Sequence, residues 1–120
     1  MAVIDDVRPL GTELERSHEA YVRGRLRFRV NQIVYVAFSR DETVMGFAFP
    51  KEERGALVES EPDKFQLPRR ESELRFHWVY ARLPALDPTE ARELGVDAWR
   101  MVVPLKLSRA YDLTHPTGPG

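Results

Sequence analysis

The chain has 120 residues, of which 42% are hydrophobic and 31% charged, and this balance predicts one soluble globular domain with its own core. It contains no cysteine, which excludes disulfide bonds, thiolate metal sites and a cysteine nucleophile. The net charge of −1 excludes a uniformly basic surface, so attraction to a polyanion would require local clusters of charge.

The N-terminal residues predict neither a signal peptide nor a membrane anchor. They read MAVIDDVRPLG, which is acidic and lacks a long apolar stretch, and no apolar run approaches the roughly 20 residues of a membrane-spanning helix. We therefore expect a cytoplasmic protein with no membrane partner. Residues 2–16 predict a first helix, which Pro9 and Gly11 interrupt.

Three strands follow, and their short connections predict an antiparallel meander. The first includes VRGRLRFRV, residues 22–30, in which every second residue is an arginine. A short turn at Asn31-Gln32 leads into the continuous apolar run of residues 33–38, and residues 43–49 form the third strand. The alternation directs four side chains to one face of the first strand, namely Arg23, Arg25, Arg27 and Arg29.

The pairing register decides what lies beside these arginines. A two-residue turn places Val34, Val36 and Phe38 opposite them, so that the arginines border an apolar surface. A β-bulge would instead bring Tyr35 to the arginine side.

Charge is segregated along the chain. Residues 16–30 contain five arginines and one glutamate, residues 41–64 contain seven acids and three bases, and residues 69–82 contain four arginines and two glutamates. The arginines could pair with the acidic segment across strands, each pair contributing a few tenths of a kcal/mol, or face an anionic partner. The sequence leaves both interpretations open.

The second half of the chain predicts alternating elements of an α+β domain. Residues 51–60 predict a short helix, residues 66–75 a loop or edge strand, and residues 76–83 (FHWVYARL) a further strand. Asp87 as N-cap, followed by Pro88 and by Glu90, predicts the start of a long helix.

That helix runs through DAWRMVV until Pro104 interrupts it, and LKLSRAYDL adds a further turn or two. Trp99 lies on its apolar stripe and is expected in the core. We expect one domain over residues 1–113 and a disordered tail over residues 114–120.

The residues that usually carry catalysis or bind metals form no recognisable set. His18, His77 and His115 have no metal-ligand spacing, and the chain has neither a serine nucleophile elbow nor a glycine-rich phosphate loop. We therefore predict a protein that is not an enzyme and that has no cofactor or bound metal.

The predicted strand at residues 76–83 has Trp78, Tyr80 and Arg82 on one face. Arginines beside exposed aromatic rings suit phosphate contacts and base stacking, but the same residue types are typical of protein interfaces. From the residues alone, a solvated outer face, a protein partner and a nucleic acid are all open.

Four stretches in order resemble the MmcQ/YjbR family: LRFRVNQIVYVAF, MGFAFPKEERGALVESEPDKF, HWVYARL and DAWRMVVPLKL, covering most of residues 18–109. The resemblance implies a two-layer α+β sandwich like that of CyaY and frataxin, with the helices at both chain ends packed on one face of an antiparallel sheet. It also implies a non-catalytic protein, labelled DNA-binding, whose sheet face away from the helices is the candidate binding surface.

Lys106 matches a basic position near the end of the family's C-terminal helix, although Leu105-Lys106 replaces the family's frequent pair of lysines. The iron binding that a frataxin-like fold suggests is not expected, because the few acids of the first helix are split by Pro9 and Gly11. An acidic protein partner or a small ligand is the alternative to DNA, and the oligomeric state is left open. The predicted DNA-binding residues are Arg23, Arg25, Arg27, Arg29, Trp78, Tyr80, Arg82 and Lys106.

Overall fold

The structure, a computed structural model, describes residues 1–70 and 77–114. Within these ranges, six antiparallel strands form one sheet in the order β1-β2-β3-β4-β6-β5. The strands are β1 (Ser17–Val22), β2 (Arg25–Val30), β3 (Ile33–Phe38), β4 (Val44–Ala48), β5 (Phe65–Gln66) and β6 (Trp78–Arg82). The helices are α1 (Ile4–Val7), α2 (Leu10–Glu13), α3 (Arg54–Ser60), α4 (Pro88–Arg100) and α5 (Leu105–Thr114), with 3-10 turns at Lys51–Glu53 and Leu83–Ala85.

The core lies between one face of the sheet and the helices of the two chain ends. α4 packs on β3 and β4, while α1 and α2 pack against α4 and the β1–β2 end of the sheet. Trp99 of α4 is fully buried, and its indole Nε1 donates to the carbonyl of Glu15 at 3.0 Å. This arrangement confirms the predicted α+β architecture and the predicted core position of Trp99.

A row of four fully buried side chains crosses the inner face of the sheet. Phe28 pairs with Val36, Val36 with Phe47, and Phe47 with Val79. Because side chains alternate along each strand, the arginines that flank Phe28 must point to the opposite face.

A β-bulge interrupts the pairing of β2 with β3. Arg29 pairs with Val34, but Phe28 pairs with Val36, so Tyr35 is an extra residue on β3. The expectation that a bulge brings Tyr35 to the arginine side is wrong, because the ring is fully buried in the core.

The hydroxyl group of Tyr35 is held inside the core. Ser17 donates its hydroxyl hydrogen to the carbonyl of Gly11 at 3.0 Å, so its oxygen accepts from the Tyr35 hydroxyl. Burial raises the pKa of Tyr35 to about 12.

The chain turns at Arg23, which the sequence placed within the first strand. Arg23 and Gly24 have φ angles of 54° and 78°, the two positive values that a type I′ hairpin turn requires. Residues 17–22 therefore form a separate strand, and Arg23 does not continue the row of Arg25, Arg27 and Arg29.

The predicted N-terminal helix consists of two short helices, α1 and α2, separated near Pro9. Gly11 lies against the sheet so closely that a Cβ atom there would be 2.5 Å from the ring of Phe28. The predicted N-cap of the long helix is confirmed, since the Asp87 carboxylate accepts from the backbone N–H of Thr89 at 2.9 Å.

The last helix, α5, is longer than the expected turn or two and includes Thr114, which was assigned to the tail. The rest of the predicted tail, residues 115–120, lies outside the described residues, as do residues 71–76, which include the predicted first residue of the 76–83 strand. Within the described ranges, no helix is long and apolar enough to span a membrane.

Candidate nucleic-acid interface

The face of the sheet opposite α4, here called the open face, carries residues from two separated parts of the sequence. Arg27 on β2 pairs with Ala37, Ala37 with Gly46, and Gly46 with Tyr80 on β6. These four residues therefore form one cross-strand row. Six predicted site residues lie on the open face: Arg25, Arg27, Arg29, Trp78, Tyr80 and Arg82.

The open face contains a trough that runs along β3 and β4. One side is the arginine wall, in which Arg25 and Arg27 line the trough and Arg29 continues the row along β2. The other side is the aromatic wall, formed by Trp78 and Tyr80. The Cα atoms of the two walls are three strand spacings apart, about 14 Å at about 4.8 Å per spacing. The cavity between them has a volume of about 370 Å³.

The floor of the trough is low because its central residues are small. Ala37 contributes only a methyl group, and Gly46 has no side chain. A Cβ atom at Gly46 would be 2.9 Å from Cε1 of Tyr80, so the tyrosine ring lies directly against the glycine. A larger residue at this position would displace the ring and fill the trough.

The arginine wall has no acidic partner in residues 1–70 and 77–114. Arg29 donates through Nε to Nε2 of His18 at 3.1 Å. Nε of Arg27 is buried without a hydrogen-bond partner in the described part of the chain. Among the strand residues described, none on the open face is acidic. Among the described residues, the wall is thus a concentration of positive charge without an acidic counterpart.

Two carboxylates of the acidic segment, residues 41–64, have partners outside the arginine wall, and none of the ion pairs between described residues joins the segment to the wall. Asp41 accepts from the hydroxyl groups of Ser39 and Thr43 and from the backbone N–H of Thr43, which together hold the pKa of Asp41 below its ordinary value. Glu61 pairs with Lys64 at 3.0 Å. The interpretation that the arginine wall pairs with this segment is therefore wrong for the described residues.

Two predicted site residues do not lie on the open face. Arg23 lies in the β1–β2 turn, where its carbonyl accepts from Nε of Arg40 at 3.1 Å. Lys106 is exposed at the start of α5, a helix that packs on α4 through the contact of Tyr111 with Trp99. The structure therefore separates Lys106 from the six residues of the open face.

Sequence reasoning missed three contributors to the trough. Ala37 and Gly46 form its floor, and the only sequence signal was a glycine inside a predicted strand, which often marks a close approach. Arg54 of α3 is buried and donates through Nη1 to the carbonyl of Trp78 at 3.2 Å, which fixes the backbone of the aromatic wall.

The described residues contain no group of three or more histidine, aspartate or glutamate side chains with the geometry of a metal site. The described lining of the trough includes neither a carboxylate nor an imidazole. Its chemistry is that of guanidinium groups and aromatic rings, which bind phosphates and planar groups.

Comparisons with known proteins give a family and a fold. The sequence model of a protein family described as YjbR matches residues 11–101. The structure is similar to the crystal structure of the Deinococcus radiodurans protein DR2400, which carries the domain DUF419, with a TM-score of 0.70. The two sequences are 18% identical, and the superposition covers 95% of this chain and 88% of that chain. No match was found among curated proteins.

Proposed function

The chain belongs to the YjbR family, and we propose that it binds DNA through the open face of its sheet without catalysing a reaction. The arginine wall carries the proposal. Three successive outward positions of β2 bear guanidinium groups without an acidic partner in the described part of the chain. A phosphate backbone is a polyanion that supplies one partner to each of them.

The spacing of the wall supports this role. Alternate residues of a strand are about 6.7 Å apart, so Arg25, Arg27 and Arg29 present charges at intervals comparable to successive phosphates of one nucleic-acid strand. Arg82 lies across the sheet, opposite Val44, and adds a further exposed cation at the end of the aromatic wall. The proposal includes no cofactor and a cytoplasmic location.

The proposed role is binding alone because the described lining of the trough contains no carboxylate or imidazole for proton transfer. General acid–base catalysis needs a titratable side chain within hydrogen-bond reach of the reacting atoms. Arginine stays protonated at physiological pH, and the remaining described lining is aromatic, hydroxylic or apolar.

Fluorescence anisotropy of labelled DNA at two salt concentrations tests the proposal. Three phosphate contacts predict that log K falls with log salt with a slope of about −2 for a single strand and about −2.7 for a duplex. The variant Arg25→Ala/Arg27→Ala should reduce the salt slope to about the value expected for a single phosphate contact. The variant Arg92→Ala/Arg109→Ala is the control, because it removes the same charge from exposed positions on α4 and α5.

Circular dichroism establishes that both double variants are folded. Equal loss of binding in the two variants would mean that net charge, and not the arginine wall, governs the interaction. Failure of the wild type to bind at low salt, where electrostatic attraction is greatest, would refute the proposal.

The cavity favours a small planar anion as the second candidate. Its volume of about 370 Å³ lies within the range of ligand pockets, roughly 300–1,000 Å³. A mononucleotide that displaces labelled DNA and raises the melting temperature would support this candidate. Saturable binding of the mononucleotide with no DNA binding would replace the first proposal by the second.

A further inference from the structure

We infer, on the basis of the proposed function, that the trough takes single-stranded DNA in preference to a duplex. The two walls differ in chemistry: guanidinium groups line one side, and the rings of Trp78 and Tyr80 line the other. A single strand has the same division, because its phosphates lie along one edge and its unpaired bases along the other.

A strand that lies along β3 and β4 meets both walls at once. Its phosphates reach the arginine wall, while its bases cross Ala37 to the aromatic wall, where the ring of Tyr80 lies over Gly46. In a duplex the bases are paired and stacked inside the helix, so neither ring could stack on them. The aromatic wall therefore contributes affinity only when the bases are unpaired.

The shape of the open face favours the same ligand. Proteins that read duplex DNA in the major groove insert a helix or a two-stranded ribbon. The trough is a recess whose floor is formed by the smallest residues of the sheet, so a duplex would contact only its rim. The β1–β2 turn at Arg23-Gly24 is the element that a duplex-binding mode would use instead.

The aromatic wall is pre-arranged for stacking. Trp78 and Tyr80 are two residues apart on one strand, which places them about 6.7 Å from each other. Both side chains are half-buried, so the sheet holds each ring while part of its surface is exposed. The hydrogen bond from Arg54 to the carbonyl of Trp78 fixes the strand that carries them.

The floor favours DNA over RNA. The lining between the walls is mainly apolar and includes Val34, Ala37, Val44 and Gly46, with Ser39 as its one hydroxyl residue among those described. A ribose 2′-hydroxyl placed over them would lose water without gaining a side-chain partner, and this cost does not arise for deoxyribose.

Tryptophan fluorescence provides the test, because the chain has two tryptophans in contrasting positions. Trp99 is fully buried, whereas Trp78 lines the trough. An oligodeoxythymidylate of about ten nucleotides should quench the emission of Trp78. The variant Trp78→Phe leaves only Trp99 and should bind without quenching.

Anisotropy in the same buffer should show that the single strand binds at least roughly tenfold more tightly than a duplex of equal length. The variant Trp78→Leu, which keeps an apolar side chain without a ring, should weaken single-strand binding roughly tenfold. Its salt slope should be unchanged, because the arginine wall is intact. If Trp78→Leu does not fold, Tyr80→Leu, which removes the other ring of the aromatic wall, takes its place and should weaken single-strand binding in the same way.

Duplex binding that equals or exceeds single-strand binding would overturn the inference and leave the proposed function standing. Loss of that duplex binding in Arg23→Ala would place the duplex at the β1–β2 turn. The inference would also be overturned if the single strand bound tightly but did not quench Trp78 and bound Trp78→Leu equally well. Tighter binding of oligouridylate than of oligodeoxythymidylate would overturn the assignment to DNA. If neither oligonucleotide nor the duplex binds at low salt, both the single-strand preference and the proposed DNA binding are refuted.

Discussion

Tyr35 makes the stability of this protein sensitive to alkaline pH, and the size of the effect follows from its position. Burial raises its pKa from 10.0 in the unfolded chain to about 12 in the fold. Because the pKa is higher in the folded state, the protonated Tyr35 side chain contributes stability. This contribution is fully present below pH 10 and is lost as the pH rises towards 12. At 1.36 kcal/mol per pKa unit, the free energy of unfolding should fall by roughly 2.3 kcal/mol by pH 12 relative to neutral pH.

The variant Tyr35→Phe separates this effect from other alkaline titrations. It removes the hydrogen bond to Ser17, so at neutral pH it should be about 1 kcal/mol less stable than the wild type. It also removes the ionisable group, so the variant should become the more stable protein above roughly pH 10.7. Urea unfolding across this range measures both curves, and parallel curves that never cross would refute the reasoning.

Four further predictions concern the glycines, a helix cap and the hairpin turn. Gly11→Ala places a Cβ 2.5 Å from the ring of Phe28 and should lower the free energy of unfolding by about 1–3 kcal/mol in urea; an unchanged midpoint would contradict this packing. Gly46→Val should fill the trough and weaken single-strand binding, measured by anisotropy, at least roughly tenfold, while the circular dichroism spectrum stays that of the folded protein. Unchanged affinity would exclude the trough as the binding site. Asp87→Ala should lower the free energy of unfolding by about 1 kcal/mol through loss of the N-cap, with Asp87→Asn, which keeps the capping oxygen, as the control. Arg23→Asn should raise the melting temperature, because asparagine adopts a positive φ more readily than arginine does. It should leave the affinity for single-stranded DNA nearly unchanged, and a large loss of affinity would place the ligand at the β1–β2 turn.

Local rules account for the elements that the sequence predicted. The N-cap of α4 depends on Asp87 and its neighbours alone, and the three-strand meander depends on alternation and short turns. Trp99 was predicted in the core because it continues an apolar helical stripe. Each of these features is set by residues close together in the chain.

The errors arose where local patterns compete with packing. Arg23 continues the arginine alternation, and arginine is not a typical residue of a type I′ turn, so the turn was hidden within a strand pattern. The bulge was anticipated, but the side that Tyr35 takes depends on space beside Phe28 and on Ser17, which the spacing of residues does not encode.

The candidate site was only partly predictable. Alternation shows that Trp78 and Tyr80 share a face, but the pairing of β6 with β4 determines that this is also the face of Arg27. That pairing joins residues 30 to 38 positions apart and has no local signal. The separation of Lys106 from the open face has the same origin, since it depends on how α5 packs against α4.

The most direct test of the central claim is a nuclear magnetic resonance titration of the isotope-labelled protein with single-stranded DNA at low salt. The account predicts that the largest amide shifts fall along the cross-strand row of Arg27, Ala37, Gly46 and Tyr80, and that they disappear as salt is raised. Shifts confined to α4 and α5, with none on β2, β3, β4 or β6, would contradict it.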